Sequence, residues 1–286
     1  MANIAPPVLI EPPTAPPRSP GLFDVALGPL EMPRPEAQGG GIQYVPDTCT
    51  DDIFLYAINC PEVSGSKTFS GLDTSVSGAP FAVLTSYTCG SVGYTLEELS
   101  ARVTLRMSLR EQRAVERRVW QGFDNSNAQG ALTGLFRGAT TLTAAGCPTE
   151  AVATLEQALA DNGIVGGIIH ARPYMSSHLA QSHLTERGQR ARTYTTYRGT
   201  PVVFGEGYDG TGPAGQAVAS TTEWMYASGR IVIWGSPIQI PDPRETFART
   251  TNQVYVLGEK VFVATVECGV WAVEVTRSCA TAGTTS

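Results

Sequence analysis

The clearest hydrophobic periodicity in the chain runs from Thr95 to Trp120. Leu96, Leu99, Val103, Met107, Ala114 and Val119 recur at helical spacing, while Arg102, Arg106, Arg110, Arg113, Arg117 and Arg118 line much of the remainder. Thr95 with Glu98 three residues on forms a capping box, and Gly122 stops the pattern at the other end. A helix of about 25 residues is a rod of roughly 37 Å. The simplest use of its arginines is a solvated face with helical charge pairs, such as Glu111 with nearby arginines. In an assembly, the same face could pair with acids on adjacent copies.

Shorter patterns follow it. Val152, Leu155 and Leu159 predict a second helix that begins near Pro148 or Thr149 and ends at Asn162-Gly163. The run 164-IVGGIIH-170 reads as a short buried strand, and Pro173 opens a third helix to about Gly188 with Met175, Leu179 and Leu184 inward. Beyond it, 201-PVVF-204, 229-GRIVIW-234 and 252-NQVYVLGEKVFVATVECGVWAVEV-275 read as strands, the last long enough to cross a whole domain. The order of elements is α+β, without an internal repeat.

Ahead of the first helix the texture changes. Residues 1–46 hold 11 of the 20 prolines, as in 6-PPVLIEPPTAPPRSP-20, so they form an extended arm rather than a helix or a central strand. Val8, Leu9, Leu22, Phe23 and Leu30 suggest that the arm lies along another surface, such as a neighbouring subunit. Residues 61–92, rich in Gly, Ser and Thr, read as a long two-stranded excursion. Such a ribbon is marginal alone and gains stability from a partner.

Composition narrows the classes. A chain of 286 residues can bury a sizeable core, and a formal charge of -6 with a pI near 5.2 argues against a surface built to wrap DNA or dock on anionic lipid. A basic leader before an apolar stretch is missing, as is any apolar run approaching the ~20 residues a bilayer requires, so neither export nor membrane insertion is expected. The six cysteines include no C-x-x-C pair and are expected to be mostly free thiols.

Candidate chemistry is sparse. Gly205, Gly207 and Gly210 spell G-x-G-x-x-G after a strand, but Gly212, Pro213 and Gly215 prevent the helix that a dinucleotide fingerprint needs. A glycine-rich surface loop without a cofactor is the expectation. His178 and His183 are five apart, the wrong spacing to share a helix face, and His170 ends a strand, so no metal site is expected. The absence of a G-x-S-x-G elbow or a recognisable cysteine nucleophile lowers the case for an enzyme.

The succession of proline-rich arm, polar ribbon, long helix ending at 121-QGF, short helix, strand plus 172-RPYMSSHL-179, then 199-GTPVV-203 and a long closing strand resembles the Hong Kong 97-type phage major capsid fold over about residues 45–276. That resemblance implies an N-terminal arm (1–46), an E-loop region (47–92), a P-domain with a spine helix (93–147 and 245–286) and an A-domain (148–244). It implies a coat protein forming hexamers and pentamers of an icosahedral tailed-phage head in the virion. Its partners would be its own copies, a portal, scaffolding or decoration proteins, and double-stranded DNA enclosed without sequence-specific binding. It further implies a candidate cross-link, because Lys67, Asn252 and Glu259 match an E-loop lysine, an asparagine on the closing strand, and a glutamate seven residues later that assists an isopeptide bond between them. Seven is an odd offset, which puts Asn252 and Glu259 on opposite faces of one strand, so three subunits would supply the three groups. Lys260 beside Glu259 could instead neutralise the base. An encapsulin-like compartment, a tail or connector protein and a nucleotide-dependent cytosolic enzyme using 205-GEGYDG-210 are the alternative readings.

Overall fold

The computed structural model describes residues 18–46, 49, 75–90, 95–123, 132–188, 192–241, 247–248 and 253–279. Its longest element is the spine helix Leu96–Trp120, with the expected capping box: the Thr95 side chain accepts from the Glu98 N–H and the Glu98 carboxylate accepts from the Thr95 N–H. The helix ends at Gln121, after which Gly122 takes a left-handed φ of 80° that a side chain would resist. Leu99, Val103, Met107, Val115, Val119 and Trp120 are buried along one stripe, with Gln112, Glu116 and Arg118 among them.

The stripe packs on a five-stranded sheet. Its centre is the strand Gln253–Val266, which pairs antiparallel along one edge with Pro80–Gly90 and along the other with Ile231–Gly235 and Phe247–Ala248; Leu27–Glu31 adds in parallel beyond Ile231–Gly235. Alternation fixes the faces: Val256, Gly258, Lys260 and Phe262 point to the spine helix, so closely that a Cβ on Gly258 would lie 2.4 Å from Val103.

A second, seven-stranded sheet runs in the order Thr140–Thr141, Val270–Thr276, Thr222–Ser228, Ile168–Ala171, Pro201–Phe204, Tyr194–Thr195, Glu186–Arg187. Helix Pro148–Asp161 covers it with Ala151, Val152, Leu155 and Leu159 against Ile169, Met225 and Val273. The sheet and the spine meet in an aromatic joint, where Trp120 lies 4.6 Å from Tyr208 and 4.5 Å from Tyr226 between ring centroids. No helix among the described residues is long and apolar enough to cross a membrane.

Several expectations are corrected. The long closing strand is two strands, because Cys268 (φ 67°) and Gly269 (φ 140°) turn the chain after Val266 and send Val270–Thr276 into the second sheet. The third helix spans only Met175–Gln181, closing at Ser182 before His183 adopts φ 54°. Residues 164–167 form a turn, and the buried strand is Ile168–Ala171. The strand Thr222–Ser228 was not foreseen.

The described part of the arm packs on its own chain, while Val8 and Leu9 lie outside the described residues. Leu22 is 0 % exposed in the core, Leu27–Glu31 joins the first sheet, and Ile42–Tyr44 pairs with Val76–Gly78. The expectation of mostly free thiols fails at Cys49–Cys268, a disulfide that spans 219 positions of sequence and is formed where the Cys268 turn meets the end of the arm. Cys147 and Cys279 are thiols.

Candidate functional site

Of the three groups in the proposed cross-link, Lys67 and Asn252 lie outside the described residues. Glu259 sits in the middle of Gln253–Val266, opposite Leu84 of Pro80–Gly90, and its backbone exchanges two hydrogen bonds with Gln239 on the other edge (2.8 and 2.9 Å). Its neighbour Lys260 points the other way and donates to Glu111 of the spine helix at 2.6 Å. Two expectations are corrected together: Lys260 does not neutralise Glu259, and Glu111 pairs with this lysine across the helix–sheet interface rather than with an arginine of its own helix. Strand alternation turns Lys260 away from Glu259, and the spine helix packed on that side supplies Glu111.

Among the described residues, no element is packed over the face carrying Glu259. Cross-strand partners share a face, so Glu259 stands with Leu84 (59 % exposed), Ser86, Thr88 and Tyr255 (39 % exposed) on an open two-stranded surface. The opposite face is filled: Phe81 stacks on Phe262 at 6.1 Å, and Arg106 lies 4.4 Å from the Tyr87 ring centroid. The spine arginines therefore do different work. Arg118 is buried with its guanidinium over Phe81 and donates to the Thr133 carbonyl, whereas Arg110, Arg113 and Arg117, with Arg172, Glu206 and Asp209, line a cleft of about 760 Å³.

The glycine motif forms that cleft's inner wall and is not a surface loop. Tyr208 is buried, and a Cβ on Gly207 would lie 2.3 Å from the Arg113 carbonyl oxygen. The Gly207 N–H donates to Glu116 at 2.9 Å, so the group that would face a phosphate is already bound to a carboxylate. Glu116 is 0 % exposed, and its second oxygen accepts from the Leu22 N–H at 2.9 Å. One carboxylate thus joins arm, spine and glycine loop. Burial pushes its pKa up to about 7; the Leu22 and Gly207 N–H groups and Arg18 oppose that rise and Glu206 adds to it.

Two more buried carboxylates bind distant segments together. Glu223 accepts from Arg172 (3.1 Å) and Arg277 (2.8 Å), and Glu267 accepts from both Nε and Nη2 of Arg230 (3.0 Å each) and from the Tyr44 hydroxyl (2.9 Å). Glu267 precedes Cys268, so the Tyr44 hydrogen bond and the Cys49–Cys268 disulfide fasten the end of the arm and the residues just after it at adjacent positions. His170 is fully enclosed between Tyr208 (3.0 Å) and Ser228 (2.8 Å), and burial lowers its pKa to about 3, which makes it a neutral packing group. Glu116, Glu223 and Glu267 were missed in the sequence; only Glu116 carried a signal, since it falls in phase with Gln112 and Trp120 on the buried stripe.

No family model and no curated protein matches the chain. Solved structures do. A chain described as "Capsid of native GTA particle computed with C5 symmetry" matches with a TM-score of 0.55 at 12% identity, covering 96% of this chain and 96% of that one. The chain has the Hong Kong 97-type fold. Chains from Mycobacterium phage Che8 (TM-score 0.52, 13% identity, 95% of this chain and 97% of that one) and Microbacterium phage Oxtober96 (0.52, 12%, 97% and 96%) share it. At such identities the likeness is one of fold, and the near-complete coverage in both directions means that the Hong Kong 97-type architecture accounts for the chain as a whole.

Proposed function

We propose that this chain is a major capsid protein that self-assembles into hexamers and pentamers of an icosahedral tailed-phage head enclosing double-stranded DNA. The observation that carries the reading is the full-length fold likeness to the capsid chain of a GTA particle. The open face of Pro80–Gly90 and Gln253–Val266 supports it, because a two-stranded surface bearing Leu84 and Tyr255 is suited to meeting another subunit. In this reading residues 1–46 are the arm, 47–92 the E-loop region, 93–147 and 245–286 the P-domain, and 148–244 the A-domain. The net charge of -6 keeps packaged DNA from adhering to the wall. A portal occupies one vertex, and a separate scaffolding protein either assists assembly or is not required.

On the same reading, Glu259 serves as base for a bond between Lys67 and Asn252 of neighbouring copies. The Lys67 amine attacks the Asn252 carboxamide carbon, Glu259 takes a proton from the nitrogen and returns it to the departing ammonia, and an isopeptide bond remains. The pairing of Lys260 with Glu111 supports this, since it leaves the neighbouring carboxylate without that competing cation. Negative-stain microscopy of the purified protein, with the same sample boiled in reducing detergent on a gel, tests both ideas. Closed shells or capsomers are expected, with a covalent ladder that Lys67→Arg abolishes; small uniform particles would overturn the capsid reading, and a ladder surviving the substitution would remove Lys67 from the cross-link.

A further inference from the structure

The end of the second sheet brings together two thiols that the assembly reading does not use. The segment 142–145 runs parallel to the strand Val270–Thr276 and is fastened to it by three backbone bonds: Leu142 N–H to Ala272, Ala145 N–H to Glu274, and Thr276 N–H to the Ala145 carbonyl. Both segments then continue in the same direction. Cys147 follows on one, at the cap position of helix Pro148–Asp161, and Cys279 on the other. Arg277 aims the second segment, donating to the carbonyls of Ala219 and Ser220 and to Glu223 while its guanidinium lies 4.8 Å from the Tyr174 ring centroid. The two thiols end as neighbours, each the largest influence on the other's titration.

We propose that Cys147 and Cys279 form a redox-responsive dithiol that closes into a disulfide with a low-molecular-weight disulfide of the glutathione class as oxidant, latching the C-terminal segment to the start of helix Pro148–Asp161. Three features carry the assignment. The thiols are neighbours, the segments that carry them are joined by backbone bonds up to Ala145 and Thr276, and Cys279 is exposed with Cys147 partly so, which gives an oxidant access. The Cys147 thiol is the attacking group, because its contact with Cys279 and the helix N–H groups of Glu150 and Thr149 lower its pKa while Cys279 is raised. In the first step the Cys147 thiolate attacks one sulfur of the small disulfide, forming a mixed disulfide and expelling one thiolate. In the second, Cys279 loses its proton and attacks Cys147 Sγ, expelling the other. Two protein thiols are oxidised by two electrons, the small disulfide is reduced to two thiols, and the released protons end on them.

The latch is independent of shell formation and adds a second long closure to Cys49–Cys268. Full-length protein incubated with oxidised glutathione, alkylated and digested with trypsin without reduction should yield peptide Gly138–Arg187 joined to Ser278–Ser286. Closure of so long a loop should also raise the midpoint of thermal unfolding by several degrees, roughly 5 °C or more. In Cys279→Ser, an exposed position whose change spares the fold, the joined peptide and the rise should vanish while Cys147 retains glutathione. Glutathione held on Cys147 in the wild-type chain without the joined peptide, or Cys147 found joined to Cys60 or Cys89, would overturn the latch. Equal thermal shifts in the two proteins would overturn it too.

Discussion

Glu116 makes a quantitative demand on the protein's pH dependence. Its carboxylate is sealed between the spine helix, the arm and the glycine loop, and the cost of burying its charge outweighs the two N–H donors, so the pKa stands at about 7 in the fold against 4.5 for the free side chain. A folded-state pKa above the unfolded one means that the native state holds the proton more tightly. Stability is then greatest below about pH 4.5 and is lost as pH rises toward 7, levelling off above it. A shift of that size corresponds to about 3 kcal/mol at ~1.4 kcal/mol per pH unit. Glu116→Gln keeps the neutral shape, with one oxygen to accept from Leu22 or Gly207, and cannot ionise. Urea unfolding of the unassembled wild type and variant at intervals from pH 4.5 to 8 isolates this one group, because every other titration is common to both. The variant should gain on the wild type by about 3 kcal/mol across that range, most of it between pH 5 and 7. A difference that stays flat with pH would refute the buried, uncompensated carboxylate and with it the role of Glu116 as a joint.

The other perturbations probe the same joints. Leu22→Ala empties a fully buried site between arm and spine and should cost about 3 kcal/mol in denaturant unfolding. Removal of residues 1–31, which takes out Leu22 and the strand Leu27–Glu31, should lower the unfolding midpoint; an unchanged midpoint would show that the arm is not part of the core. Gly207→Ala drives a methyl against the Arg113 carbonyl, so a loss on the order of 1–3 kcal/mol by the same assay is expected, and an unchanged midpoint would mean that the loop is not packed on the helix.

What the sequence disclosed, it disclosed where local chemistry decides the outcome. The capping box at Thr95, the stop at Gly122, the Asn162-Gly163 end of the second helix and the strand Pro201–Phe204 all depend on residues within a few positions of one another, and all stand. The failures involve tertiary partners. Thr222–Ser228 carries a buried Glu223 that only Arg172 and Arg277 make tolerable, so its polarity disguised a central strand. The break between Val266 and Val270 rests on a non-glycine residue with positive φ, Cys268, held by a disulfide whose other half lies 219 positions away. The proline content of the arm hid that Arg18, Leu22 and Tyr44 each find a partner on the chain's own body. In the candidate cross-link, opposite facing of adjacent strand residues was legible from alternation, but the capture of Lys260 by Glu111 required knowing which helix lies over that face.

Cryo-electron microscopy of the purified assemblies bears most directly on the capsid reading. Icosahedral shells built from fivefold and sixfold capsomers, with Leu84, Tyr255 and Glu259 covered by a neighbouring copy, are the expected result. Monomers, small closed rings or open tubes would contradict it, as would a shell in which that face remains bare.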